Sequence, residues 1–265
     1  MFDIRGGEGL DDGAWTEHVL TRVPWPINAQ TVDLDGDGDI DVIAASVAEG
    51  RSMWFENRSE NGELAFVEHA ITVVEPGAEA APIVNLFNMD FSDLNGDGRL
   101  DIVSFDTARL IGIDPIWLEQ PATADAPWTL RRIGSYAPDQ LVGIAVADID
   151  GDGDDDLMTG GYSSSSRLAD GVAATGDALG RLAWFENLGG GDSWRRHDFS
   201  RRERGMFDKF LPYDVDGDGD LDFFGTRGNS GGFDGVFWLE QLRTAGPVAS
   251  FTRARTEDSP ELPLP

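Results

Sequence analysis

Four nine-residue segments with one spacing of acid and glycine recur along the chain: Asp33-Leu34-Asp35-Gly36-Asp37-Gly38-Asp39-Ile40-Asp41 and its counterparts at 93–101, 148–156 and 214–222. They begin 60, 55 and 66 residues apart. A period of this length marks a modular fold in which one supersecondary unit is used four times. Calcium takes six to eight oxygen ligands at roughly 2.3–2.6 Å, so a short loop that binds it must fold several carboxylates back onto one point. The glycines at positions 4 and 6 allow the backbone angles that such a fold-back needs.

The ligand assignment follows position by position. Side chains at position 1 (Asp33, Asp93, Asp148, Asp214), position 3 (Asp35, Asn95, Asp150, Asp216) and position 5 (Asp37, Asp97, Asp152, Asp218) are expected to ligate. Position 7 (Asp39, Arg99, Asp154, Asp220) contributes its carbonyl, and the Asp at position 9 (Asp41, Asp101, Asp156, Asp222) closes the site. An EF-hand would need a bidentate Glu at position 12 and flanking helices. Position 12 is Ala44, Ser104, Thr159 or Gly225, and the residues after each loop are short apolar runs rich in strand formers. These loops therefore lead into strands. Asp-Gly pairs alone would make hairpin turns, but four copies with one ligand spacing favour about four calcium ions. The loop at Asp93, with Asn95 and Arg99 in place of two acids, is expected to bind most weakly and to lose its ion first.

A second signature follows each loop and its strand: Trp54-Phe55-Glu56-Asn57, Trp117-Leu118-Glu119-Gln120, Trp184-Phe185-Glu186-Asn187 and Trp238-Leu239-Glu240-Gln241. A third, aromatic-x-x-basic in loose form, begins at Phe66, Trp128, Trp194 and Phe251. With an extended stretch before each loop, this makes four strands per repeat. The predicted fold is an all-β propeller of four countable, four-stranded antiparallel blades, with the Asp-rich loop between the first and second strand of each. A single domain spans 1–265, with blades at about 21–72, 80–134, 140–200 and 206–256 and a flexible tail at 257–265. Trp15-Thr16-Glu17-His18 repeats the third signature before the first loop, which predicts an extra strand at 14–20. Either a compact ring of four blades carries a spare strand, or the ring involves more than one chain.

The loop followed by a strand and a Trp-Phe-Glu-Asn strand resembles the FG-GAP or VCBS repeats of integrin-like β-propellers, over nearly residues 15–256. The resemblance implies the propeller fold and calcium binding. It does not fix an activity, because that family includes adhesion domains, lectins, polysaccharide lyases and sugar dehydratases. Its familiar members have about seven blades, against the four countable here.

Composition narrows the partners. Net charge is −29, with 19 of the 49 acidic residues inside the four loops, so much of the acidity is ligand chemistry. The remainder disfavours nucleic acid by like-charge repulsion. No apolar run approaches the ~20 residues of a membrane helix, so no membrane insertion is expected. Cysteine is absent, which excludes disulfides, thiol catalysis and thiolate metal sites. Residues 1–20 lack the basic start and apolar stretch of a signal peptide. An extracellular or periplasmic protein whose leader is not part of this sequence is the preferred reading, beside a cytoplasmic one.

Repetition also sorts the candidate functional residues. His18, His69 and His197 share one position of successive repeats, where Arg131 takes a turn, so they read as blade structure, as do the motif Trp and Glu. The repeat is broken in the third blade, where 28 residues separate the ninth loop position from the motif Trp, against 13 to 16 elsewhere. That insertion follows Tyr162. The one basic cluster, Arg195, Arg196, Arg201, Arg202, Arg204 and Lys209, lies nearby in sequence, and arginine forks suit carboxylate or sulfate. With Asn88 and Gln140 at the starts of inner strands, and Trp25 and Tyr213 as stacking groups, these residues suggest a ligand site on the face opposite the calcium loops. The expected function is a calcium-stabilised module that binds carbohydrate or a protein partner. A sugar-active lyase or dehydratase and a purely structural assembly unit are the alternatives.

Overall fold

A strand sandwiched between two neighbouring sheets buries both of its faces and reads as a continuous apolar run. The run Ile102-Val103-Ser104-Phe105 does this: Ile102 packs toward the preceding repeat, Val103 and Phe105 toward the following one, and all are buried. The computed structural model describes residues 15–80, 82, 84, 86–107, 112–136, 140–163, 182–200, 205–228 and 234–243. It is all-β over these residues and forms a four-bladed propeller.

Blade 1 comprises β1 (Pro26–Val32), β2 (Asp41–Ser46), β3 (Arg51–Asn57) and β4 (Phe66–Ile71). After the short β5 (Val73–Val74), blade 2 comprises β6 (Asp90–Ser92), β7 (Asp101–Thr107), β8 (Gly112–Glu119) and β9 (Trp128–Arg132). Blade 3 is built from β10 (Gln140–Ala147), β11 (Asp156–Ser163), β12 (Leu182–Asn187) and β13 (Trp194–Ser200). Then come β14 (Gly205–Met206) and three strands of blade 4: β15 (Phe210–Tyr213), β16 (Asp222–Arg227) and β17 (Gly235–Leu239). Neighbouring strands within every blade are antiparallel, and each acidic loop joins a first strand to a second, as the sequence predicts.

One row of side chains crosses each blade at the same register. It runs Gln30–Ile43–Trp54–His69 in blade 1, Asp90–Val103–Trp117–Arg131 in blade 2, Ala145–Met158–Trp184–His197 in blade 3 and Leu211–Phe224–Trp238 in blade 4. In blades 1 to 3 this row lies on the face toward the next blade, here called the forward face. Three buried clusters result: Ile43 and Trp54 against Ile102, Ile116 and Leu118; Val103 and Trp117 against Leu157, Ala183 and Phe185; Met158 and Ala145 against Phe210 and Phe223. Among the described residues, no such cluster joins blade 4 to blade 1.

One expectation changes. Residues 15–23 form no strand, although they repeat the aromatic-x-x-basic signature; beside β3 in blade 1 the outer position is held by β4. The fourth strand of blade 4, expected at Phe251, and the insertion after Tyr162 lie outside the described residues.

Candidate metal loops and the opposite face

Each acidic loop is folded by its own backbone amides. The amide of residue 6 donates to the position-1 carboxylate (Gly38 to Asp33, 3.0 Å; Gly98 to Asp93, 2.8 Å; Gly153 to Asp148, 3.1 Å; Gly219 to Asp214, 3.2 Å). The amide of residue 5 donates to the side-chain oxygen of residue 3, and that of residue 7 to the carboxylate of residue 5, again in all four loops. Such turns need positive φ, and Gly36 and Gly38 supply 74° and 96°, where a side chain would strain the backbone. The carboxylates are thus each tethered by at least one bond, and Asp93, Asp148 and Asp214 by two or three, while lone pairs stay free to converge.

Convergence is observed. Oxygens of Asp33, Asp35 and Asp37 lie within 4.8 Å of one another, as do those of Asp148, Asp150 and Asp156, and those of Asp214, Asp216 and Asp218. Two ligands on opposite sides of a calcium ion are about 4.6–5.2 Å apart, so these sets fit one sphere. Asp33 Oδ1 and Asp220 Oδ1 are buried without a hydrogen-bond partner. A buried anionic oxygen left unpaired is costly, and a cation in the loop would satisfy it.

The position-9 Asp does more than the sequence indicated. One oxygen accepts the amide of loop residue 2 (Leu34, 3.2 Å; Leu94, 3.1 Å; Ile149, 2.9 Å; Val215, 3.1 Å). The other accepts the amide of the fourth motif residue (Asn57, 2.7 Å; Gln120, 2.9 Å; Asn187, 2.8 Å; Gln241, 2.9 Å). Asp41 also accepts Trp54 Nε1 at 2.9 Å. All four carboxylates are buried, and each knots a loop to the third strand of its blade. Burial pushes the carboxyls of Asp101 and Asp156 up to about 7, against the pull of these amide bonds.

The blade-2 loop is built differently. Arg99 pairs with Asp97, and its Nε donates to the Gln120 carbonyl at 3.1 Å. Position 7 thus carries a guanidinium where the other three loops carry Asp39, Asp154 and Asp220.

The second motif supplies ties that sequence reading missed. Where it ends in Gln, the side chain reaches the preceding blade: Gln120 Nε2 donates to the Leu34 carbonyl (3.0 Å) and Gln241 Nε2 to that of Ile149 (2.8 Å). Where it ends in Asn, the shorter amide stays at its own loop, donating to Ile40 (3.1 Å) and Asp155 (3.2 Å). Alternation of Asn and Gln along the chain was the available signal. The motif Glu borders the acidic loop: burial raises the Asp35 and Asp150 carboxyls, and Glu56 and Glu186 add to the rise behind the neighbouring loop carboxylates Asp37 and Asp152.

The histidines complete these blades. His69 lies between Glu56 and Asp125, both at 2.9 Å, with its ring 4.8 Å from Trp54. His197 pairs with Glu186 at 2.7 Å and stacks on Trp184 at 4.5 Å. Burial disfavours charge on His69, but the carboxylates of Asp125 and Glu56 outweigh it and raise its pKa.

The face away from the loops is only partly described. Gln140 and Tyr162 are register partners at the far ends of β10 and β11, and Lys209 is exposed just before β15. Asn88 is buried, its amide donating to the carbonyls of Val142 (3.1 Å) and Asp208 (2.8 Å), so it ties blades rather than offering a free donor. Tyr213 ends β15 next to Asp214, on the loop side, which corrects its expected placement. Arg195 and Arg196 are paired, with Glu186 and with Asp198 and the Ser135 carbonyl. Arg201, Arg202 and Arg204 lie outside the described residues.

A profile for the FG-GAP-like repeat matches residues 33–104, which hold the first two acidic loops and the whole of the Trp54 motif between them. The same loop, knot and register recur in blades 3 and 4, outside the matched segment. No curated protein matches the chain. Among solved structures, the biofilm matrix protein Bap1 of V. cholerae matches with 18% identity and a TM-score of 0.32, covering 77% of this chain and 34% of that one. No helix of the described residues is long and apolar enough to cross a membrane.

Proposed function

We propose that the chain is a calcium-stabilised β-propeller binding module whose ligand, a carbohydrate, docks on the face opposite the acidic loops. The buried, unpartnered carboxylate oxygens of Asp33 and Asp220, set among converging acids, carry the calcium half of this reading. Asp33, Asp35 and Asp37, with their counterparts in the other blades, would hold the ion. Calcium would supply positive charge to a cluster that otherwise repels itself, and so fix the geometry of the loop. The position-9 Asp, the motif amide and the Gln ties carry that order outward into the blade and its neighbour.

For the ligand half, support comes from exposed Gln140 at the start of β10 and exposed Lys209 just before β15, with Gln140 in register with Tyr162 at the root of the third-blade insertion. An amide, an ammonium and a phenol suit hydroxyl and carboxylate groups of a saccharide. A glycan array run in calcium should give binding that falls at least tenfold in Gln140→Ala/Lys209→Ala/Tyr162→Ala. Binding unchanged in that variant would place the site elsewhere, and no binding to any glycan would remove carbohydrate as the ligand.

A further inference from the structure

The junction of blades 1 and 2 and that of blades 3 and 4 are built alike, but one group present in the second is missing from the first. In both, a motif Gln reaches back to loop residue 2 of the preceding blade, Gln120 to Leu34 and Gln241 to Ile149. Two residues after that Gln stands Arg243 in blade 4 and Ala122 in blade 2. Arg243 Nε donates to Gln241 Oε1, and its Nη2 to the Ile149 carbonyl, both at 3.1 Å. The guanidinium also lies against the blade-3 acidic loop, where a Cβ on Gly151 would stand 3.0 Å from Nη1.

Beside Ala122 the same place is open. Gln120 is only 6% exposed, yet its Oε1 accepts no hydrogen bond among the described residues. A Cβ on Gly36, the counterpart of Gly151, would meet nothing within 4 Å. A hollow of about 230 Å³ lies there, lined by Gln120, Ala122, Trp54 and Trp128 and bordered by Asp35 and Glu56. Glu56 already pairs with Arg58 and His69, so Asp35 supplies the open charge. Arg99 also borders the hollow, but it pairs with Asp97 and donates to the main-chain carbonyl of Gln120 rather than to Oε1. A buried amide oxygen without a donor is costly, and a carboxylate and two indoles beside it suit a cation.

We infer that this hollow is a binding site for an external guanidinium group, an arginine side chain entering where Arg243 supplies its own at the other junction. A guanidinium carries five N–H donors in a planar fork, enough to reach Gln120 Oε1 while its charge faces Asp35. Asp148, Asp150 and Asp156 converge in the loop that Arg243 touches, so a guanidinium in this place is compatible with the acid arrangement proposed to hold calcium.

Calorimetry with acetyl-arginine methylamide, in excess calcium and at fixed ionic strength, should show one site per chain. Acetyl-citrulline methylamide, which keeps the shape without the charge, should bind at least about tenfold more weakly, as loss of a charge-assisted hydrogen bond predicts. Ala122→Arg installs an internal guanidinium and should abolish the site, with a melting temperature at or above wild type. Arg243→Ala should do the reverse and add a second site. Free arginine run in parallel separates the sources: tighter binding of the capped form points to a residue of a polypeptide, tighter binding of the free form to the amino acid itself, and either supports a guanidinium site. No binding of either form, equal binding of the citrulline compound, or binding undiminished in Ala122→Arg overturns the proposal.

Discussion

Asp41 accepts three hydrogen bonds while buried, whereas Asp37 in the same loop is exposed and accepts one, from Asp39 at 2.9 Å. Without metal the two should therefore behave differently. Asp41→Ala strands three donors and should cost about 3–5 kcal/mol, and Asp37→Ala less than about 1 kcal/mol. Urea denaturation of ion-free protein measures both, and equal losses would refute the knot. Gly143 makes a second residue-level case. A Cβ there would stand 1.9 Å from the Phe207 carbonyl oxygen and 3.0 Å from the Phe210 ring, contacts that only a backbone shift could relieve. Gly143→Ala should destabilise by about 1–3 kcal/mol, the usual range for overpacking, and a neutral result would mean that the blade 3 to blade 4 junction is softer than its packing indicates. Neither Asp41 nor Gly143 announces its role by composition. Asp41 was legible as an acid at a fixed place in a repeat, but its second duty depends on a strand thirteen or more residues later, and Gly143 depends on a phenylalanine 64 residues away.

At the scale of the element, the loops are not equivalent. Those of blades 1, 3 and 4 bring three carboxylates to one point, while the blade-2 loop carries Asn95 and holds Arg99 against Asp97. An internal cation competes with an external one, so a calorimetric calcium titration should resolve a tighter class of sites and one weaker site. Asp93→Ala should remove the weak site alone, and Arg99→Asp should tighten it by about tenfold or more. Loss of a tight site in Asp93→Ala would contradict the assignment. These strands, loops and their order were readable from the sequence because each signal occurs four times, and repetition separates a ligand spacing from an ordinary Asp-Gly turn. What was not readable is where an element ends up when its pattern has no partner. The signature at Trp15 has the right residues for an outer strand, yet residues 15–23 form none, and the edge of β3 is held by β4. Tyr213 looked like a stacking group until β15 placed it beside an acidic loop.

For the whole molecule, the balance of charge sets how stability responds to pH. Burial raises Asp101 and Asp156 to about 7 in the absence of metal, against an unfolded value near 4. A carboxyl raised on folding stabilises the fold fully below the unfolded pKa, and that contribution is lost as pH climbs through the folded one. Ion-free protein should therefore melt at a lower temperature at pH 8 than at pH 5, with the fall concentrated between about pH 4 and 7. Excess calcium, which prefers the ionised carboxylates, should remove or invert the difference, and a scan of melting temperature against pH in both conditions decides it. The chain's formal charge of −29 acts in the same direction by self-repulsion. The most direct test of the account as a whole is the thermal melt at neutral pH with excess calcium and with excess chelator, at equal ionic strength. Each ion at about one hundred times its dissociation constant adds about 2.7 kcal/mol, so three or four ions should raise the melting temperature by more than about 10 °C, an effect magnesium does not reproduce. Superimposable melts in calcium and chelator would contradict it.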